Sequence, residues 1–222
     1  MNDFDKKKFS EIIKKYKSVL DYGCGYGIFN ISKKINYLYD SDKKLFSILK
    51  NKYEKKPLFK ILQKPKFYNI DVLLMNSVFQ YLTPQQIKII KKKMKNFKIV
   101  IISDIPKYSR IIEAIFLFFL NPKRLIQGVK NFLFKKEPYT KLQFNYYPIK
   151  VIKKEFFHFE IKIIPNLGCE KLTRYTILLK NKKIKKNLFN EKKYKNFNNR
   201  IIRLYWKLLE KLFKEKIYVI FN

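Results

Sequence analysis

The sequence predicts an α/β protein built on one open, mostly parallel sheet with helices on both faces, and three observations predict it. Short apolar segments of strand length alternate with helical segments along most of the chain. A run of glycines follows the first strand at once and leads into a helix. Residues 71–77 (DVLLMNS) and 98–103 (KIVIIS) are nearly continuous apolar runs, as strands covered on both faces should be.

Phe9, Ile12, Ile13 and Tyr16 recur at helical spacing, and the period breaks at Ser18. Residues 18–22 then read as the first strand, 28–35 as a helix, 36–40 (NYLYD) as a second strand and 42–53 as a helix. The two strands and the helix between them form a β-α-β unit of about thirty residues, the length of a parallel crossover. Residues 57–70 are less legible: LFKIL suits a third strand, but lysines and prolines crowd the segment after it. After the strand at 71–77, Thr83 and Pro84 cap a helix running through 86–95, with Pro84 at the favoured first position. The strand at 98–103 ends toward Asp104 and Pro106, and residues 108–134 read as aromatic and aliphatic helices broken near Asn121 and Pro122. Residues 146–157 suit a helix, and 159–164 and 174–180 (RYTILLK) suit two last strands, seven in all. From Asn181 the composition turns to lysine and asparagine, then to a basic amphipathic helix near 199–214. The expected division is a domain at 1–180, with a lid-like insertion at about 107–145, and a basic tail at 181–222. No repeat at solenoid periods is visible.

A chain of 222 residues, 47% hydrophobic and 17% aromatic, can bury a sizeable core and is not compositionally disordered. Its 51 Lys and Arg against 17 Asp and Glu give a formal charge of +34, which attracts nucleic acid, anionic lipid headgroups or acidic substrates. The heavy use of Lys, Ile, Asn, Phe and Tyr is what an AT-rich genome supplies, but the same bias would supply Asp and Glu, so the scarcity of acids is a preference. Cys24 and Cys169 are far apart and form no metal-type pair, which reads as free thiols in a reducing cytoplasm and no metal site. The polar N-terminus has no apolar core followed by small residues, so no secretory signal is expected, and the apolar run 111–120, interrupted by Glu113, falls short of the ~20 residues of a membrane span.

The segment VLDYGCGYG places Asp21 at the end of the first strand, then Gly23, Gly25 and Gly27. Glycines allow a sharp turn and close approach of a ligand, and the helix that follows offers unpaired N–H groups. The spacing is D-x-G-x-G-x-G rather than the dinucleotide pattern G-x-G-x-x-G, and a carboxylate before the turn suits an ammonium-bearing ligand better than a pyrophosphate. This segment resembles the first motif of class I S-adenosylmethionine-dependent methyltransferases. The resemblance implies a Rossmann-like sheet and S-adenosyl-L-methionine as cofactor, its methionine part held by Asp21, Gly23, Gly25 and Gly27. It also implies an acid on both ribose hydroxyls at the end of the second strand, where Asp40 stands, with Asp42 as fallback. DVLLMNSVFQYL resembles the fourth-strand motif, with Asn76 and Ser77 facing the cofactor. ISDIP resembles the fifth-strand end, and RYTILLK the closing antiparallel strand. The likeness covers roughly residues 9–180; no match to the acid that often contacts adenine is found.

Tyr81, Gln80 and Asp104 lie just beyond strand ends on the presumed cofactor side and are candidates for acceptor contacts, as is His158, the one histidine. Tyr81, Asp104 and His158 make the candidate catalytic set, although a lone histidine among aromatics is more often simply packed. No N-P-P-Y or D-P-P-Y tetrad is present; NSVF stands at 76–79. The arrangement resembles small bacterial methyltransferases, which implies O-methylation of a small-molecule or glycan acceptor, in the cytoplasm, with peripheral contact to an anionic inner membrane face open as a partner. The alternatives are an RNA methyltransferase, supported by the charge, and a cofactor-binding module without catalysis.

Overall fold

In the computed structural model the residues described are 9–27 except 11, 34–106, 126, 147, 149–165 and 174–181. The expected insertion, apart from residue 126, the second cysteine Cys169, Glu113 and the tail beyond Asn181 lie outside them.

Seven strands form one sheet: β1 Ser18–Tyr22, β2 Ile35–Tyr39, β3 Phe59–Leu62, β4 Val72–Asn76, β5 Ile99–Pro106, β6 Phe159–Pro165 and β7 Arg174–Asn181. Their order is β3-β2-β1-β4-β5-β7-β6, parallel except for β7, which runs antiparallel to both neighbours. The order reverses direction between β1 and β4, and in such sheets ligands lie outside the carboxyl ends of the strands at that reversal. Asp21 and Leu74 are partners in the β1–β4 ladder, so the glycine turn opens at this place.

Both faces are covered. Helices α2 (Pro84–Met94) and α3 (Ile149–Glu155) lay Ile90, Met94, Ile149 and Ile152 over Leu20, Leu73, Met75, Val100, Ile102 and Ile177. On the other face Phe9, Ile12, Ile13 and Tyr16 cover Val19, Val72, Leu74, Ile99, Ile101 and Leu178. Beside them Leu49 and Tyr53 of α1 (Lys43–Tyr53) pack on Leu38 and Cys24. Burial on two sides is why β4 and β5 read as continuous apolar runs rather than alternating ones.

Most boundaries shift by a residue or two from the sequence reading, and four differences bear on the fold. Ile35, expected at a helix end, begins β2, because its backbone joins the parallel ladder opposite Ser18. The helix at 146–157 contracts to α3, and residues 156–158 form a turn into β6. Residues 14–15 are a turn rather than helix. Strand β5 continues past Ser103 to Pro106, because antiparallel pairing with β7 resumes at Ile105 after a register break. Asp104 therefore lies within a strand, at an irregularity, and not beyond its end.

Candidate cofactor and acceptor site

The turn after β1 is held by its neighbour strand. The Gly23 and Cys24 N–H groups donate to the Tyr39 carbonyl at 2.7 and 3.1 Å, and the Gly27 N–H to the Cys24 carbonyl at 3.0 Å. Asp40, just past β2, joins the two loops: its Oδ2 accepts from the Gly25 N–H at 2.8 Å and its Oδ1 from the Asp42 N–H at 3.0 Å. Asp42 has another task, since its side chain caps α1 by accepting from the Lys44 N–H at 2.9 Å. Asp40, and not Asp42, is the carboxylate that bonds to the glycine turn.

All three glycines have left-handed backbone, with φ of 73, 54 and 63°, but their surroundings differ. A β-carbon on Gly23 would collide with the Val78 methyls from the β4 turn, and one on Gly27 would come within 2.9 Å of Leu49 and Tyr53. At Gly25 a β-carbon would meet no atom within 4 Å. Two glycines allow close packing of chain on chain, and the middle one borders open space.

Two acids, Asp21 and Asp40, stand close together at this turn. Asp21 is only 4% exposed, and burial, then the nearby Asp40 carboxylate, push its pKa up to about 7. Burial, with Asp21 and Asp40, raises the Cys24 thiol far above its ordinary value, so this thiol is inert as a nucleophile. A buried carboxyl beside a half-exposed carboxylate makes a place where a cation is favoured.

The ends of β4 and β5 form the adjoining half. Ser77 and Asp104 both take left-handed backbone, φ 58 and 64°, unusual for residues other than glycine. Ser77 Oγ donates to Asp104 Oδ2 at 2.7 Å, and Arg174 Nη1 donates to the same oxygen at 3.0 Å. The Gln80 side-chain amide donates to the Ser77 carbonyl at 3.0 Å, and the Ser77 N–H to the Ser103 carbonyl at 3.1 Å. Asn76 ends β4 beside Ser103, and Tyr81 closes the short 3-10 turn Phe79–Tyr81 that follows.

Asp21, Gly23, Gly25, Gly27, Asp40, Asn76, Ser77, Tyr81 and Asp104 thus gather at one edge of the sheet. His158 does not. It precedes β6 at the opposite edge, its ring tilted against that of Phe157 with centroids 3.6 Å apart, and near Asn181 and Lys95. Parallel strands keep the two edges a full strand apart, so His158 leaves the catalytic set. Arg174 is the residue that sequence reasoning missed; its signal was its place at the start of a closing strand that, run antiparallel, returns to the end of β5. Among the described residues no group of three metal-ligating side chains forms.

No family model matches this sequence, and no curated protein does. Solved structures share its fold. The methyltransferase domain of bacterial CtHen1-C superposes with a TM-score of 0.54 at 14% identity, over 80% of this chain and 96% of that one. Magnesium protoporphyrin IX methyltransferase from Synechocystis PCC 6803 with bound SAH gives 0.52 at 17% identity, over 79% and 80%. The small RNA methyltransferase HEN1 gives 0.55 at 10% identity, over 81% of this chain and 25% of its own. The chain has the α/β fold of these methyltransferase domains, and that likeness reaches the fold.

Proposed function

We propose that this chain is an S-adenosylmethionine-dependent methyltransferase that binds its cofactor across the glycine turn and methylates a hydroxyl of a small-molecule or glycan acceptor. The observation that carries the reading is the open space over Gly25, set between the buried Asp21 and the carboxylate of Asp40. When bound, the cofactor supplies a methyl on a sulfonium and a leaving thioether. Asp21 offers negative charge to its cationic part. Asp40 spends two of roughly four lone-pair positions on backbone N–H groups, which leaves capacity for two ribose hydroxyls. Gly23 and Gly27 keep the turn pressed on its neighbours, and Asn76 and Ser77 border the cofactor from β4.

On the acceptor side, Tyr81 and Asp104 are the candidates for contact with a hydroxyl, Asp104 being held in place by Ser77 and Arg174. Their contribution is alignment behind the methyl, worth up to about 7–11 kcal/mol in favourable cases. Calorimetric titration is expected to show one site for S-adenosylmethionine, and Asp40→Ala to weaken it by about tenfold or more; no heat of binding to the intact chain sinks the proposal. Binding without any label transferred from methyl-labelled cofactor to cell-extract fractions returns the non-catalytic reading. The net charge favours a second acceptor class, RNA, and label recovered in RNA rather than in small molecules or glycans would select it.

A further inference from the structure

On the outer face a groove runs between α2 and α3. Its upper part, about 510 Å³, is walled by Phe79, Ile87, Tyr147, Val151 and Phe156. Its lower part, about 1010 Å³, is walled by Lys88 and Lys92 of α2 and by Lys95, which caps its C-terminus, with His158 and Phe159 opposite. The two parts share Lys88, Lys91 and Glu155, and they meet where Lys91 and Glu155 pair across the gap. Among the described lining residues Glu155 is the one acid, and its charge is offset by Lys91. Helix α2 runs antiparallel to the strands it covers, so the apolar half lies toward the β4 turn and the lysines toward the opposite edge.

From this division we infer that the groove is a binding site for an amphiphilic anion: a single apolar chain with a phosphate or carboxylate head. The apolar half takes the chain, and Lys88, Lys92 and Lys95 take the head. These lysines follow one side of the helix and its C-cap at spacings of four and three residues, and the seven steps from Lys88 to Lys95 cover roughly 10 Å, enough for a head group and the first carbons of a chain. Charge complementarity excludes the basic segment near 199–214 of this chain as the occupant, because it would bring lysines onto lysines. A polynucleotide would satisfy the lysines but would leave the Phe79–Ile87–Val151 half without a partner. The head lies at the edge opposite the cofactor turn, so the ligand is an anchor or effector and not the methyl acceptor; the inference is independent of the cofactor reading.

The test is calorimetric titration of the full chain with decyl phosphate below its micelle concentration, beside decanol, inorganic phosphate and a short oligouridylate. Decyl phosphate is expected to bind with one-to-one stoichiometry, at least about tenfold tighter than decanol or phosphate. The exposed positions allow two variants that leave the core intact: Lys88→Glu with Lys92→Glu removes the head site, and Val151→Glu blocks the chain site. Each is expected to weaken decyl phosphate by about tenfold while leaving S-adenosylmethionine affinity and far-ultraviolet dichroism unchanged. Decanol or phosphate binding as well as the amphiphile, displacement by the oligouridylate, or indifference to either variant overturns the inference.

Discussion

Asp21 shows how a site residue is held against its own stability. Its carboxyl is pushed to about 7 from 3.8, mainly by burial and then by Asp40. The folded chain therefore binds this proton more tightly than the unfolded chain does. The stability this proton contributes is complete below pH 3.8 and is lost as pH rises to about 7. Asp21→Asn is expected to raise unfolding free energy above pH 7, on the order of a few kcal/mol at most, and to flatten that pH slope, read by urea melts across pH 5–8. The same variant is expected to weaken S-adenosylmethionine binding, since the neutral amide offers no charge to a cation. A wild-type affinity that strengthens as pH rises through about 7 belongs to the same account. Ser77 gives a second contrast. Its left-handed backbone costs roughly 1 kcal/mol, and its hydroxyl bond to Asp104 returns a similar amount. Ser77→Ala keeps the strain and loses the bond, whereas Ser77→Gly loses both. Denaturant titration is expected to find the alanine variant less stable than the glycine variant by about 1 kcal/mol.

At the scale of elements, local chemistry written in the sequence places the helices. Thr83 and Gln86 form a reciprocal capping box at 3.2 and 2.8 Å with Pro84 in the first turn, so α2 begins where the sequence says it should. Thr83→Ala is expected to cost about 1 kcal/mol in a thermal or urea melt, without altering cofactor affinity. Strands are tied at the far edge of the sheet by Asp71. It accepts from the Lys17 N–H at 2.8 Å and pairs with Lys98 at 2.7 Å, linking β1, β4 and β5. Burial pushes its carboxyl up, but these hydrogen bonds and charges outweigh burial and leave its pKa below the usual value. Its contribution is therefore present at neutral pH and lost on acidification. Asp71→Asn is expected to destabilise the chain at pH 7 and to reduce the loss of stability below pH 4. Helix α3 was less legible. Its seven residues are short for a helical period, and the buried trio Ile149, Ile152 and Phe156 continues beyond the helix into the turn before β6.

For the whole molecule, the order β3-β2-β1-β4-β5-β7-β6 puts β1, β4 and β5 in the centre with both faces covered. Amide exchange is expected to be slowest in those three strands and in β7, and faster in β3, an edge strand whose residues are only partly buried. From sequence alone came the seven strands, the α/β class, the glycine turn and the acids at 21 and 40, because these rest on local signals: apolar runs, caps, and glycine where a side chain cannot fit. Only the tertiary structure decided that Asp40 reaches across to the Gly25 N–H, that Asp104 sits in a strand irregularity locked by Ser77 and Arg174, and that His158 stands at the opposite edge. Each of these depends on which strands become neighbours and in which direction they run. Pairings between residues 70 apart in sequence, such as Asp104 with Arg174, leave no periodic trace in either segment.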